Sequence, residues 1–158
     1  MKVFTIGAYG KSESEFFNLI KINDITSFFD VRQRRGVRGS KYKFVNSKYL
    51  QSKLTELDIK YCHIKELAPT TEIRQIQREQ DLSSNTTKRE RLLLSERFCC
   101  LYDQKILESH QFKMEISAIK NGESIVFFCV EEEHLACHRS LITKKLKTIN
   151  PSLEIVHL

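Results

Sequence analysis

The first 31 residues contain a strand, a helix and a second strand, and this order constrains the fold more than any other feature. Residues 3–6 are a short apolar run that ends at Gly7, and Ser12 with Glu15 forms a capping box that starts a helix. Residues 25–31 are rich in β-branched and aromatic side chains and predict a second strand. Two consecutive strands joined by a helix run parallel, so the sequence predicts the α/β class.

The rest of the chain supplies further elements of the same kind. Strands are predicted at 59–64, 125–129 and 154–157, and helices at 47–57, 89–107, 110–120 and 137–149. The run 125–129 is continuously apolar, which is typical of a central parallel strand covered on both faces. Residues 69–88 are polar and are predicted to be an insert, either a loop or a flap. We therefore expect a single α/β domain over residues 1–158, a three-layer sandwich with a mainly parallel sheet of about five strands.

The composition predicts the location of the protein, the state of its cysteines and the kind of partner it binds. No apolar run approaches the roughly 20 residues that span a bilayer, and the amino terminus lacks the apolar region of a signal peptide, so we expect a cytoplasmic protein without membrane contact. The five cysteines follow no disulfide-framework spacing and are expected to be thiols. The formal charge of +6 favours a phosphate-bearing or nucleic-acid partner. The oligomeric state is left open.

Ligands of open parallel sheets bind beyond the carboxyl ends of the strands, and three such ends carry unusual residues. The first is the turn that contains Gly7, Gly10 and Ser12. Free N–H groups and the helix dipole favour an anion there, although an ordinary capped turn has the same residues. The glycine spacing fits neither a Walker motif nor the dinucleotide fingerprint.

The second strand end is Asp30-Val31-Arg32, which a basic loop follows as far as residue 43. Asp30 and Arg32 project to the same side of the strand and are predicted to meet. Guanidinium groups suit phosphate recognition, so Arg32 and Arg38 are candidate substrate-binding residues and the loop is a candidate nucleotide or nucleic-acid contact. Alternatively, Asp30 caps a loop and the cations form a solvated surface. The six cations of the loop are Arg32, Arg34, Arg35, Arg38, Lys41 and Lys43.

The third strand end runs from Cys129 to Arg139 and enters a helix. Cys137 lies at the helix start, where its pKa is predicted to be lowered. A phosphatase loop is excluded, because the residue six positions after Cys129 is Leu135 and the glutamates at 131–133 would repel phosphate. The candidate residues here are Cys129, Glu131, Cys137, His138 and Arg139.

Two other chemistries use the same segment. A structural zinc site would take Cys129, His134, Cys137 and His138, but their spacing is irregular and no second cysteine pair supports it, so we predict no metal and no cofactor. A rhodanese-like thiol site would use Cys129 as nucleophile beside Asp30-Val31-Arg32. It stays a minor alternative, because the acidic loop disfavours a bound thiosulfate.

Together these motifs resemble the domain-of-unknown-function 488 family over nearly the whole chain. Two departures stand out: Ala8-Tyr9 replaces a usual His-Ser pair, and Ala68-Pro69 opens a polar segment that usually contains glycine. The resemblance implies a fold and a shared polar site rather than a reaction. The matching elements are Thr5-Ile6-Gly7, Asp30-Val31-Arg32 with Arg38, Phe44 with Leu50 and Leu54, residues 59–61 with His63 and Leu67, Cys129-x-Glu131, Cys137-His138-Arg139 and Val156-His157.

Two functions follow as hypotheses. The first is an enzyme acting on a nucleotide or nucleic acid, with Asp30 or Glu131 as general acid or base, His138 as proton carrier and a thiol at Cys129 or Cys137. In it, Arg32, Arg38 and Arg139 would bind anionic oxygens. The second is a non-catalytic nucleic-acid or protein binding module, in which Arg139 forms a salt bridge with Asp30 or Glu131. A solvent-reachable pocket beside Cys129 favours the enzyme, whereas a dry, fully paired network favours the module.

Overall fold

One sheet of five parallel strands organises the protein, which is described over residues 1–158 by a computed structural model. The strands are β1 (Lys2–Ile6), β2 (Ser27–Asp30), β3 (Lys60–His63), β4 (Ile125–Phe128) and β5 (Glu154–His157). Their order across the sheet is β3-β2-β4-β1-β5, and every neighbouring pair is parallel. The predicted α/β class and parallel sheet are confirmed.

Six α-helices accompany the sheet. They are α1 (Glu13–Ile22), α2 (Ser47–Glu56), α3 (Thr71–Ser83), α4 (Glu96–Tyr102), α5 (Lys113–Lys120) and α6 (His138–Ile149). A π-helical turn, Asp103–Leu107, extends α4, and short 3-10 turns lie at Lys43–Val45, Lys65–Leu67 and His134–Ala136. None of these helices is both long and apolar enough to cross a membrane.

The start of α1 follows directly from its sequence. The Ser12 hydroxyl accepts a hydrogen bond from the Glu15 amide at 3.2 Å, and the Glu15 carboxylate accepts one from the Ser12 amide at 2.7 Å. This is the capping box that the sequence predicts. Phe16 and Ile20, one turn apart, are fully buried, so α1 covers the sheet with an apolar stripe.

The centre of the sheet is β4, whose four residues are all fully buried. Phe127 packs against Phe29 on one face, and Phe128 packs against Phe28 and Phe16 on the other. Apolar side chains on both faces are what the continuous apolar run predicts. After β2 the chain moves to β3 on one side, and after β4 it moves to β5 on the other side. The carboxyl ends of β2 and β4 therefore flank a topological switch point, where a crevice forms.

Two elements differ from the sequence prediction. The polar segment 69–88 is not a loop or flap in its main part: it forms α3, which the Thr70 hydroxyl caps by accepting from the Ile73 amide. Its buried stripe contains Ile73 and an amide, Gln77, so the segment lacks the apolar periodicity that identifies a helix from sequence. The helix predicted at 89–107 begins only at Glu96, because the Ser95 hydroxyl caps it by accepting from the Phe98 amide.

Candidate functional site

A cleft of about 610 Å³ opens at the switch point between the carboxyl ends of β2 and β4. Its floor contains Cys129, Glu131, Cys137 and His138, from the end of β4 and the start of α6. Its walls come from residues 32–38, from α3 and from the segment 86–91. Three stretches that are distant in sequence therefore meet around one cavity.

Behind one wall lies a buried ion pair between Asp30 and Arg32. Arg32 Nη2 donates to Asp30 Oδ2 at 2.7 Å, and Arg32 Nε donates to Asp30 Oδ1 at 2.9 Å. The remaining terminal nitrogen donates to the Val45 carbonyl, and Tyr61 Oη donates to Asp30 Oδ2 at 2.8 Å. Both charged side chains are at most 3% exposed. The meeting of Asp30 and Arg32 agrees with the strand geometry, and the pair is used by the fold.

The pKa of Tyr61 is raised in this environment. Burial, with further contributions from the charge of Asp30 and the hydrogen bond to it, raises the pKa of Tyr61 to about 12. A hydrogen bond from Arg35 acts in the opposite direction, but does not offset burial. The phenol therefore stays protonated near neutral pH and remains a donor to Asp30.

Arg139 is the largest fully buried side chain of the protein. Its two terminal nitrogens donate to the carbonyl oxygens of Glu131 and Glu132, at 2.7 and 2.9 Å. The salt bridge to a carboxylate of Asp30 or Glu131 is therefore absent, because the guanidinium binds main-chain carbonyls of the loop after β4 instead. We call Asp30, Arg32, Tyr61 and Arg139 the buried framework.

Gly7 completes the packing around Arg139. A Cβ atom on Gly7 would lie 2.0 Å from the Glu131 carbonyl oxygen and 3.2 Å from Arg139 Nη2. Only a glycine allows this close approach of β1 to the loop after β4. Gly10 lies against the Glu132 carboxylate, and the Ser12 amide is already bonded to Glu15. Gly7, Gly10 and Ser12 lie outside the cleft, and an anion at this turn stays a prediction.

The thiols of Cys129 and Cys137 form a coupled pair on the cleft floor. The pKa of Cys129 lies well above the ordinary value, because its thiol is hydrogen-bonded to Cys137 and buried. Burial by itself would raise the pKa of Cys137, but the hydrogen bond from Cys129 and the charge of Arg139 lower it to about 7. The direction is the one expected for a cysteine at a helix start. Of the two thiols, Cys137 is therefore the more acidic.

His138 points its ring between this pair and β2. Its Nε2 lies 2.9 Å from the Val31 carbonyl oxygen, and its Nδ1 lies 3.7 Å from Cys137 Sγ. Because a carbonyl oxygen only accepts, Nε2 carries the proton in the neutral ring and Nδ1 presents a lone pair towards Cys137. His134 does not join this group: its ring stacks on His157 and is bonded to Glu133.

Glu131 contributes the carboxylate of the floor. It is buried, and its Oε1 lies 2.9 Å from Lys88 Nζ, a side chain that is half exposed at the cleft wall. Burial would lower the pKa of Lys88, but the charge and hydrogen bond of Glu131 raise it above its ordinary value. Lys88 therefore stays charged and holds Glu131 in place.

Many of the basic side chains of the protein line the cleft. Seven arginines and Lys88 line it, against two carboxylates, Asp81 and Glu131, which already form salt bridges with Arg91 and Lys88. The arginines that line the cleft without a carboxylate partner are Arg34, Arg38, Arg74, Arg78 and Arg89. We call the cavity with these five side chains the arginine cleft.

A family model described as Domain of unknown function DUF488 matches residues 12–146. The chain belongs to this family. The match covers Asp30, Arg32 and the whole segment 129–139, and it confirms the resemblance carried by those motifs. No curated protein and no solved structure matches the chain significantly.

The family motifs do not all reach the cleft. Cys129, Glu131, Cys137 and His138 line it, whereas Asp30 and Arg139 do not. Arg32 forms part of the wall, but its guanidinium is bonded within the protein. Within the loop 32–43, Arg34 and Arg38 line the cleft, and Arg35, Lys41 and Lys43 do not.

The sequence did not identify five of the eight cations that line the cleft. Arg74 and Arg78 lie four residues apart on α3, and Lys88, Arg89 and Arg91 follow in the next segment. Side chains four apart share one face of a helix, so recognising α3 as a helix would have placed Arg74 and Arg78 together. The cluster at 88–91 is visible as a basic run, but only the tertiary fold brings it opposite the loop 32–38.

Proposed function

We propose that this protein is an enzyme that binds a phosphate-bearing substrate, a nucleotide or a nucleic-acid strand, in the arginine cleft. The observation that carries the proposal is the set of five arginines without carboxylate partners above a floor of thiol, imidazole and carboxylate groups. Planar guanidinium groups bind phosphate oxygens in pairs of hydrogen bonds. Arginines that face one cavity without a carboxylate partner are therefore suited to an anionic ligand.

The size of the cleft is compatible with a bound nucleotide. Small-molecule sites have volumes of roughly 300–1,000 Å³, and the cleft, at about 610 Å³, lies within that range. Arg34, Arg38, Arg78 and Arg89 are exposed at its rim, where they can contact further phosphates of a strand. The guanidinium of Arg89 lies over the Tyr9 ring, 4.9 Å from its centroid, and its other face is a candidate stacking surface for a base.

The floor supports turnover in addition to binding. Cys137 has thiolate character near neutral pH because Cys129 donates to it and Arg139 lies nearby, and Glu131 is held beside it by Lys88. Nucleophilic thiolates and positioned carboxylates are the groups that attack a substrate or move its protons. In this proposal the arginines orient the anionic part of the substrate, and Cys137 or Glu131 acts at its reacting atom.

A binding module without turnover is the second candidate. It is favoured by the buried framework, which uses Asp30, Arg32 and Arg139 for the fold and withdraws them from chemistry. The module would keep the arginine cleft as a nucleic-acid site. It differs from the enzyme only in what happens to the bound ligand.

Fluorescence anisotropy with short single-stranded DNA and RNA, and competition by mononucleotides, tests the binding step. We expect affinity to fall as salt rises, because cations that contact phosphates displace counterions. Arg78→Gln should lower the salt slope by about 1. The matched control is Arg97→Gln, an exposed arginine on the neighbouring α4 that lies outside the cleft, and it should leave the slope unchanged.

Binding that is absent at low salt for every oligonucleotide and nucleotide would refute the proposal. Equal effects of the two arginine variants would refute the cleft as the site. Mass spectrometry of the recovered ligands after incubation then separates the two candidates. New products that disappear in Glu131→Gln or Cys137→Ser identify an enzyme, whereas ligands recovered unchanged identify a binding module.

A further inference from the structure

Three metal-ligating side chains converge on the cleft floor. Ligand atoms of Cys129, Cys137 and His138 all lie within 4.8 Å of one another, and all three residues are buried. They come from two rigid places, the end of β4 and the first residues of α6. Their convergence is therefore fixed by the sheet and the helix rather than by a mobile loop.

The spacing fits a tetrahedral ion. Zinc bonds of roughly 2.3 Å to sulfur and 2.0 Å to nitrogen place neighbouring ligand atoms roughly 3.5–3.8 Å apart. Cys137 Sγ and His138 Nδ1 are already 3.7 Å apart. The Cys129 thiol lies within 4.8 Å of both atoms and completes the triangle. The sides of this triangle, at most 4.8 Å, exceed the tetrahedral spacing by about 1 Å or less.

The imidazole of His138 is oriented as in known metal sites. A histidine ligand usually donates its other ring N–H to a carbonyl or carboxylate, which fixes the tautomer that can bind metal. Here Nε2 donates to the Val31 carbonyl oxygen at 2.9 Å, so the Nδ1 lone pair faces the thiols. This hydrogen bond prepares the ring as a ligand before any ion binds.

We propose that Cys129, Cys137 and His138 bind one zinc ion and leave its fourth position open to the arginine cleft. Two thiolates and an imidazole are soft and borderline ligands, which favour zinc over magnesium or calcium. All three residues line the cleft, so an ion and a fourth ligand can enter from it. This set differs from the zinc site weighed from sequence, because His134 stacks on His157 instead.

An open position gives the site a chemical role. Three protein ligands with a free fourth position are typical of catalytic rather than structural zinc. A water or a phosphate oxygen bound there would face Glu131, which lines the same floor. The ligand set belongs to the chain alone, so the metal site stands independently of the proposed phosphate substrate. With Cys137 bound to zinc, Glu131 is the group of the floor that acts at the reacting atom.

Cobalt substitution on the full chain tests the site directly. Protein stripped with a chelator under reducing conditions is titrated with Co²⁺ alone, and then with Zn²⁺ against a chromophoric chelator. We expect one ion per chain, a thiolate-to-cobalt charge-transfer band and the visible bands of a tetrahedral ion. The absence of a thiolate-to-cobalt band from the folded, reduced wild type would overturn the proposal without any variant.

Variants assign the ligands. Cys129→Ser, Cys137→Ser and His138→Gln should each weaken zinc binding by about 100-fold or more, since the loss of an outer-shell partner alone costs 10–100-fold. The matched controls are Cys100→Ser, an exposed thiol, and His134→Gln, and both should bind zinc as the wild type does. Circular dichroism of the metal-free variants checks that each is folded. Controls that lose the ion as the three variants do would overturn the assignment.

Discussion

The buried framework and the arginine cleft use the same residue type in opposite ways. In the framework, Arg32 and Arg139 are at most 3% exposed, and their terminal nitrogens are bonded to protein oxygens. In the cleft, Arg78 and Arg89 are exposed and have no carboxylate partner. Guanidinium groups whose terminal nitrogens are bonded to protein oxygens are held by the fold, whereas exposed ones without a carboxylate partner can contact a ligand. The same side chain therefore belongs to the packed interior in one region and to the exposed cleft in the other.

The largest effect is expected at the ion pair of the framework. Asp30→Asn leaves the Arg32 guanidinium buried without a counter-charge, and this should destabilise the protein by about 3–5 kcal/mol. Urea unfolding monitored by circular dichroism measures the loss. The matched control is Asp103→Asn, whose partner Lys145 lies 3.8 Å away and whose side chain is half exposed. Asp103→Asn should lower the free energy of unfolding by about 0.5 kcal/mol or less. Equal losses in both variants would show that the buried ion pair matters no more than an exposed one.

The next effect compares two glycines. Gly7→Ala places a Cβ atom 2.0 Å from the Glu131 carbonyl oxygen, so the loop held by Arg139 must move. We expect a loss of about 2–3 kcal/mol, as for overpacking in a close-packed interior. Gly36→Ala, at the cleft wall, meets nothing within 4 Å and should change stability by less than about 0.5 kcal/mol. Thermal unfolding of both variants measures these losses. A Gly7→Ala protein as stable as Gly36→Ala would contradict the close contact between Gly7 and the loop after β4.

The Tyr61 phenol makes the stability of the buried framework depend on pH. Tyr61→Phe removes a hydrogen bond to the buried Asp30 carboxylate and should cost about 1.5 kcal/mol at neutral pH. Because burial raises the pKa of Tyr61 from 10.0 to about 12, the folded state retains this proton longer than the unfolded chain. The contribution is therefore fully present below pH 10 and lost as pH rises through 12.

The alkaline limb of a stability profile measures this contribution. Tyr61→Phe should lose less stability than the wild type between pH 10 and 12. Tyr9→Phe is the matched control, because Tyr9 lines the cleft and is not bonded to Asp30. Its profile should follow the wild type. Parallel profiles for Tyr61→Phe and the wild type would show that the phenol is not held by Asp30.

The smallest effect on stability is expected in the cleft. Arg34→Gln with Arg38→Gln should change the free energy of unfolding by less than about 0.5 kcal/mol, because both side chains are exposed. The same double variant should lower the salt slope of nucleic-acid binding by about 2. Lys41→Gln with Lys43→Gln, on the same loop but outside the cleft, is the matched control for binding. Equal loss of binding in both pairs would extend the ligand site beyond the cleft.

The sequence by itself determined the class of fold and the positions of the candidate site. The capping box at Ser12 and the apolar run of β4 are local signals, because hydrogen bonding over three residues and burial on both faces are encoded in adjacent positions. The placement of polar residues at strand ends then located Asp30, Cys129 and Glu131 at one edge, since parallel strands end together.

Only the tertiary structure decided how these residues are used. Whether an arginine binds a carbonyl, as Arg139 does, or faces a cavity, as Arg78 does, depends on neighbours that are distant along the chain. The pairing of Cys129 with Cys137 likewise depends on how α6 meets the end of β4. Burial and partner geometry are properties of the packed chain, so the division between framework and cleft could not be read from residue order.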